Sequence, residues 1–128
     1  MKQPHYLLVD DDPINNMINE RMLKKHHGED IVCQVFPDGK PAISHFKNGG
    51  AKPDMIFLDI NMPEVDGWEF LEFYRHQNDK APVVMLTSSI EPKDLEKSKL
   101  YDCILDCISM KLMPNSIEKI VKKMQDNN

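Results

Sequence analysis

The sequence lacks any apolar stretch near the roughly 20 residues of a membrane-spanning helix, so it predicts no membrane span. It also lacks an excess of positive charge. The formal net charge is −5 at pH 7, which argues against binding to the phosphate backbone of nucleic acids. Repeats, low-complexity tracts and linkers are absent too. With 128 residues, of which 41% are hydrophobic and 29% charged, the chain is typical of one soluble globular domain.

Cysteine is scarce as well. Cys33, Cys103 and Cys107 are an odd number without metal-ligand spacing, which favours reduced thiols in or near the core. Too few apolar residues precede Asp10 for a signal peptide, so we expect a cytoplasmic protein. The initial methionine and polar end favour a complete chain, and we expect residues 1–128 to form a single domain without an output domain.

One stretch, from Met55 to Gly67, dominates what is present. Its short apolar run from Met55 to Leu58, with Pro53 before it, predicts a strand buried on both faces, as in a parallel sheet. Asp59 follows at the carboxyl end of that strand, where open α/β sheets bind ligands. The sequence therefore predicts either a carboxylate aimed into a crevice or an aspartate that merely caps a turn.

A second acidic cluster favours the first interpretation. The apolar run before Asp10 ends in Asp10, Asp11 and Asp12, and Pro13 suits the first position of a helix. If the two strands are neighbours, their carboxylates repel one another strongly unless a cation lies between them. A hard divalent ion that prefers oxygen ligands, with Mg²⁺ as the first choice, resolves this conflict.

Two later strand ends carry complementary groups. The apolar run from Val83 ends in the hydroxyl of Thr87, and a weaker run from Cys107 ends in the ammonium of Lys111. Carboxylates, a metal ion, a hydroxyl and an ammonium on one sheet edge suit a phosphoryl group, whose oxygens need a cation and hydrogen-bond donors.

Together these motifs resemble the receiver domain of two-component response regulators, the CheY-like family. The resemblance covers the whole chain and rests on four motifs in the family order: Val9-Asp10-Asp11, Leu58-Asp59-x-x-Met62-Pro63-x-x-Asp66-Gly67, Leu86-Thr87-Ser88 and Lys111. It implies that Asp59 accepts a phosphoryl group from a sensor histidine kinase or a histidine phosphotransfer protein. It also implies Mg²⁺, or Mn²⁺ in its place, held by Asp10, Asp11, Asp59 and the backbone carbonyl of Asn61, with Asp10 acting mainly through water.

The resemblance further assigns roles to Thr87 and Lys111. The hydroxyl of Thr87 would donate to the attached phosphoryl group, and Lys111 would pair with Asp59 or with a phosphate oxygen. Their inward movement would alter the face built from helix 4, strand 5 and helix 5, where a downstream protein would bind or be released. A signalling domain of this kind catalyses only its own phosphorylation and dephosphorylation. We expect it to be a monomer or weak dimer.

Strands alternate with helices five times, which predicts a doubly wound parallel sheet. The flavodoxin-like order 2-1-3-4-5 sets the ends of strands one and three side by side. The first helix should run from Pro13 to about Lys25, and the fourth, which begins at Glu91-Pro92, should dock loosely because it has few apolar residues. We predict a fifth strand over Cys107–Met110 and a capped last helix from Asn115. The core-facing stripe predicted for the first helix is Ile14, Met17, Ile18 and Met22.

Two positions depart from the family pattern. The family usually has proline after the lysine, often with a cis bond, but here Leu112 follows Lys111. A cis bond before a non-proline residue costs about 2.5–4 kcal/mol, so we predict a trans bond and a reshaped loop. Ile108 stands where the family prefers Tyr or Phe, and a stiff β-branched side chain has no ring to swing inward.

Two alternatives to a phosphorylatable receiver stay open. A pseudo-receiver would keep the fold as a protein-binding module without responding to phosphate, as Ile108 and Leu112 would allow. A phosphohydrolase of the haloacid-dehalogenase-like class would instead use Asp10 as its nucleophile, because Asp10-Asp11-Asp12 also fits an Asp-x-Asp motif. That class needs a further acidic motif and leaves the Asp59 loop unexplained.

Overall fold

The fold is described from a computed structural model for residues 4–87, 91–109, 118–120 and 122–123, with the backbone alone at Thr87 and Ser109. Strands and helices alternate along the chain, and residues 118–120 and 122–123 are helical and mark a fifth helix, α5. The remaining elements are β1 (His5–Val9), α1 (Pro13–His27), β2 (Val32–Phe36), α2 (Gly39–Lys47), β3 (Met55–Asp59), α3 (Gly67–Tyr74), β4 (Val83–Thr87), α4 (Pro92–Ser98) and β5 (Ile104–Ser109).

The five strands form one parallel sheet in the order β2-β1-β3-β4-β5, which confirms the predicted flavodoxin-like topology. In this register Val9 pairs with Leu58, so the residues that follow β1 lie beside the end of β3. Asp59 in turn pairs with Leu86 on β4. The sheet thus gathers the ends of its three central strands at one edge.

The core lies on both faces of the sheet because successive strand residues point to opposite sides. Leu7, Ile56 and Met85 pack against α2 and α3 on one face. Leu8, Phe57 and Val84 pack on the other face, where Leu23 of α1 and Ile120 of α5 cover them. Burial on both faces explains why β1, β3 and β4 are continuous apolar runs.

The stripe predicted for α1 is wrong in part. Ile14 is 61% exposed and Met17 is 56% exposed, whereas the side chains turned inward belong to Asn16, Asn19 and Leu23. The face predicted from the apolar residues is rotated about the helix axis from the face that is buried. The prediction missed the buried face because two of its residues are polar asparagines. Asn16 is there because its amide Nδ2 donates to the backbone oxygen of Asp10 at 2.8 Å.

Strand β5 begins at Ile104, three residues before the predicted start at Cys107. Asp106 interrupts the apolar pattern there, but its carboxylate forms an ion pair with Lys123 of α5, whose Nζ lies 3.0 Å from Oδ2 of Asp106. A strand at the sheet edge can carry such a polar side chain because part of it faces solvent. The irregular pairing with β4 between Val83 and Val84 lies at the same place.

Helix α4 carries no buried residue, and both Leu95 and Leu100 are exposed, in keeping with its thinly apolar sequence. The predicted trans bond between Lys111 and Leu112 and the cap at Asn115 lie outside the described residues. Within the described part of the chain, no helix is both long and apolar enough to cross a membrane.

Candidate functional site

Three carboxylates meet at the carboxyl edge of the sheet. Asp10 and Asp11 follow β1, Asp59 ends β3, and one oxygen from each lies within 4.8 Å of the others. Asp10 is buried, at 5% exposure, while Asp59 is half-buried and Asp11 is exposed. The sheet register brings them together, as the sequence predicted.

The backbone after β1 is fixed by hydrogen bonds around Asp10. Its backbone N–H donates to the oxygen of Phe36 on β2 at 3.0 Å, and its side-chain Oδ1 accepts the N–H of Asp12 at 2.9 Å. Asp12 caps α1 by accepting the N–H of Ile14 at 2.9 Å, and Pro13 opens the helix. The acidic turn is therefore rigid, with Asp12 used as a helix cap.

Burial and the neighbouring negative charges raise the pKa values of Asp10 and Asp59. Burial, followed by the negative charge of Asp10, raises the pKa of Asp59 from 3.8 to about 7, although backbone N–H groups of Asn61 and Ile60 partly oppose the shift. Burial likewise raises the pKa of Asp10. The site thus holds negative charge at a cost, which a bound cation would relieve.

The donor set fits a hard divalent cation. Mg²⁺ takes oxygen ligands at about 2.1 Å, so opposite ligands lie about 4.2 Å apart. Adjacent ligands lie only about 3 Å apart. The carboxylate oxygens, within 4.8 Å of one another, would therefore move closer together around a shared ion. Carboxylate oxygens alone, without thiol or imidazole, favour Mg²⁺ or Mn²⁺ over softer metals.

The loop between β3 and α3, residues 60–66, is closed at its base by Gly67. The N–H of Gly67 donates to the oxygen of Ile60 at 2.8 Å, and a Cβ at Gly67 would lie 2.6 Å from the backbone oxygen of Asp59. Only glycine permits that close approach. Asp66 then caps α3 in a reciprocal capping box with Glu69, so the helix starts rigidly beside Asp59.

Asp38 is a residue that the sequence analysis passed over. It is buried, and its carboxylate accepts the backbone N–H of Glu64 at 3.0 Å and that of Val65 at 2.9 Å. It therefore ties the turn after β2 to the β3–α3 loop. Its position in the sequence could have indicated this role, because Asp38 follows β2, whose carboxyl end lies at the same sheet edge.

The other site residues predicted from the sequence are only partly located. Asn61 lies on the exposed loop next to Asp59, and its backbone N–H faces the Asp59 carboxylate. Thr87 ends β4, the strand beside β3. Its side chain and Lys111 lie outside the described residues. Ile108 is half-buried and packs against the core cluster on the α1 face.

Two cavities flank the acidic cluster. A groove of about 870 Å³ starts at Asp10 and Asp11 and runs along α1, with Met17 and Val35 among its walls. A cavity of about 370 Å³ lies between the β3–α3 loop and α4, lined by residues that include Trp68 and Lys97. The groove therefore gives access to Asp10 and Asp11, and the second cavity reaches Asn61 beside Asp59.

Comparison with known proteins decides the family. The model of the response regulator receiver domain matches residues 6–122. The chain belongs to the response regulator receiver family. Receivers are signalling domains of two-component systems that generally depend on Mg²⁺, which agrees with the acidic cluster of this chain. Membership leaves the haloacid-dehalogenase-like alternative without support.

Relatives of this receiver include regulators from plants and bacteria. It is 27% identical over 120 residues to the two-component response regulator ARR22 of Arabidopsis thaliana, covering 94% of this chain and 82% of that one. It is 31% identical over 120 residues to the transcriptional regulatory protein TrcR of Mycobacterium tuberculosis. That match covers 93% of this receiver but only 43% of TrcR, so the chain spans less than half of that relative.

Among solved structures, a two-component response regulator from Cytophaga hutchinsonii superimposes with a TM-score of 0.86. The two are 28% identical, and the alignment covers 98% of this receiver and 99% of that chain. This superposition supports the CheY-like fold.

Proposed function

We propose that Asp59 accepts a phosphoryl group from a phosphohistidine of a sensor histidine kinase or a histidine phosphotransfer protein. The reaction requires Mg²⁺, with Mn²⁺ as an alternative ion. One observation carries the proposal: oxygens of Asp59, Asp10 and Asp11 lie within 4.8 Å of one another at the sheet edge. Such a cluster favours a bound cation, and a cation beside a half-buried carboxylate suits phosphoryl transfer.

The transfer exchanges one bond to phosphorus for another. A carboxylate oxygen of Asp59 forms a P–O bond while the P–N bond to the donor imidazole breaks. The imidazole nitrogen leaves with the electron pair and takes up a proton. Asp59 must be ionised to attack. Because its pKa is about 7 without a metal ion, a bound cation would increase the ionised, reactive fraction near neutral pH.

The remaining site residues have supporting roles in this proposal. Asp11, Asp59 and the backbone carbonyl of Asn61 would hold the ion directly, and Asp10 mainly through water. The charge of the ion would offset that of the carboxylates and the phosphoryl oxygens. Thr87 donates to the attached phosphoryl group, and Lys111 pairs with Asp59 or with a phosphate oxygen. The position of Thr87 at the end of β4, next to β3, supports its role.

Phosphorylation then changes the affinity for a downstream protein at the face built from α4, β5 and α5. The lack of buried residues in α4 supports this part, because a helix held by few contacts can be shifted at low cost. We further propose that residues 1–128 act as one cytoplasmic domain, as a monomer or weak dimer, without binding nucleic acid.

The test is intact mass spectrometry after incubation with acetyl phosphate and Mg²⁺. The native chain should gain one phosphoryl group, and Asp59→Asn should gain none. Asp54→Asn is the matched control, because Asp54 lies at the opposite end of the same strand, where its carboxylate accepts the N–H of His5 at 2.7 Å. That variant should be phosphorylated like the native chain.

Each of the other outcomes would point to a different acceptor or a different function. An adduct that persists in Asp59→Asn overturns the assignment of the acceptor. No adduct and no phosphate release in the native chain would identify a pseudo-receiver, an outcome consistent with the aliphatic Ile108. Phosphate release that survives Asp59→Asn but is lost in Asp10→Asn would instead indicate hydrolase chemistry.

A further inference from the structure

We propose that Asp38 is a positioning residue that holds the β3–α3 loop, and with it the backbone of Asn61, in the geometry needed for cation binding and phosphoryl transfer at Asp59. This inference rests on the proposed function and assigns part of it to a residue that does not touch the reacting atoms.

The contacts of Asp38 divide between two segments of the chain. Its Oδ1 accepts the N–H of Lys40 at 3.0 Å, which caps α2, and also the N–H of Val65 at 2.9 Å. Its Oδ2 accepts the N–H of Glu64 at 3.0 Å. One buried carboxylate thus satisfies a helix start and two consecutive backbone donors of the loop.

Gly39 strengthens this connection. Its backbone N–H donates to the oxygen of Val65 at 3.2 Å, and a Cβ at residue 39 would lie 2.7 Å from that oxygen. Real side chains do not approach backbone so closely, so only glycine lets α2 begin against the loop. Lys40 and Glu64 also form an ion pair, but at 4.0 Å and in solvent it contributes little.

The loop is therefore held at two places. Gly67 closes its base against Ile60, and Asp38 with Gly39 fixes its far side at Glu64 and Val65. Asn61 lies between these two attachments. If the attachment at Asp38 is lost, the loop can move as a unit about its base, and the carbonyl of Asn61 no longer has a defined position relative to Asp59.

Substitution with serine separates the two roles of Asp38. Serine is a good helix cap, so Asp38→Ser should still start α2. Its single, shorter hydroxyl cannot also accept two donors from the loop. The matched control is Asp54→Ser, which removes a carboxylate that joins the segment before β3 to β1 at the opposite sheet edge, through the N–H of His5.

The measurements are the dissociation constant for Mg²⁺ alone, the rate of phosphorylation by acetyl phosphate at saturating Mg²⁺, and the melting temperature. Binding of Mg²⁺ is followed by the fluorescence of Trp68, the single tryptophan, which lies in the first turn of α3. Loss of Mn²⁺ from its free-ion paramagnetic resonance signal gives a second measure of metal affinity.

We expect Asp38→Ser to weaken Mg²⁺ binding about tenfold and to slow phosphorylation even at saturating Mg²⁺, as losses of groups that orient metal ligands do. Asp54→Ser should lower the melting temperature without changing either quantity. Equal effects of the two variants on Mg²⁺ affinity, or none in Asp38→Ser, overturn the inference.

A second variant covers the case in which Asp38→Ser does not fold. Gly39→Ala keeps the carboxylate but pushes Val65 away, so it should weaken Mg²⁺ binding too, and an unchanged affinity overturns the inference. The proposed function can fail separately. If the native chain takes up no phosphoryl group, that function is wrong, but a weaker Mg²⁺ affinity in Asp38→Ser would still support the positioning role of Asp38.

Discussion

At the scale of single residues, the carboxylates at the sheet edge of this receiver lie close enough to repel one another. Asp10, Asp11 and Asp59 share one edge of the sheet, and the pKa of Asp59 rises to about 7. Asp38 lies nearby in the opposite situation. Burial alone would raise the pKa of its carboxyl, but four backbone N–H groups hold that pKa below its ordinary value. The two carboxyls differ because burial and the charge of Asp10 outweigh two backbone donors at Asp59, whereas four backbone donors outweigh burial at Asp38.

The raised pKa of Asp59 makes a prediction about stability without metal. The folded chain binds a proton more tightly than the unfolded chain, so the free energy of unfolding should fall as the pH rises from about 4 to about 7. In the presence of a chelator, Asp59→Asn should therefore melt higher than the native chain at pH 8, by about 4 °C for each kcal/mol regained. At pH 4 the two should melt alike.

Thermal melts at both pH values, with Asp54→Asn as the control, check this prediction. An Asp59→Asn variant that is no more stable than the native chain at pH 8 would contradict it. Adding Mg²⁺ should raise the melting temperature of the native chain at pH 8, because the ion binds the ionised carboxylates of the folded state only.

At the scale of elements, α1 shows how burial and apolar pattern can disagree. Leu23 is 1% exposed and packs among the side chains on the α1 face of the sheet, whereas Met17 is 56% exposed and lines the groove beside Asp10 and Asp11. The exposed apolar side chains of this helix do not hold it to the sheet. Met17 instead forms part of the wall of the groove that leads to Asp10 and Asp11.

Two alanine variants in α1 test this reading. Leu23→Ala should cost about 2–5 kcal/mol in the free energy of unfolding, because it opens a cavity in the core. Met17→Ala should change that free energy by no more than about 0.5 kcal/mol, since its side chain lies in solvent. Urea unfolding of the two variants gives both numbers. A cost at Met17 equal to that at Leu23 would restore the predicted stripe.

At the scale of the whole molecule, stability is unevenly distributed. The central strands are buried on both faces, while α4 has no buried residue. Helix α4 is connected to α3 through the charge of Lys97, which lies 4.8 Å from the ring centre of Trp68. Trp68 also stacks on Tyr101, the residue that leads toward β5. Helix α4, which buries no residue, thus borders the helix that starts beside Asp59.

Amide hydrogen exchange should reveal this gradient. Helix α3 is the matched comparison for α4, because the two have eight and seven residues but only α3 buries side chains, among them Phe70, Leu71 and Tyr74. Amides of α4 should exchange at least about 100-fold faster than those of α3, since local opening free energies range from near zero to the global value. Equal protection of the two helices would contradict the prediction.

The sequence predicted a doubly wound parallel sheet, a strand-end cluster of Asp10, Asp11 and Asp59, and a preference for an oxygen-bound cation, while the strand order came from the resemblance to receiver domains. These depend on local runs of apolar residues that end in acid and on the general geometry of parallel sheets. The folded chain was needed to show which face of α1 is buried, how far β5 extends and what Asp38 contacts. Each depends on a partner outside the helix, strand or turn concerned: the backbone of Asp10 for Asn16, Lys123 for Asp106, and the backbone of Glu64 and Val65 for Asp38. Hydrogen bonds and ion pairs between distant residues leave no periodic pattern, so polar side chains that they bury look like surface or turn residues in the sequence.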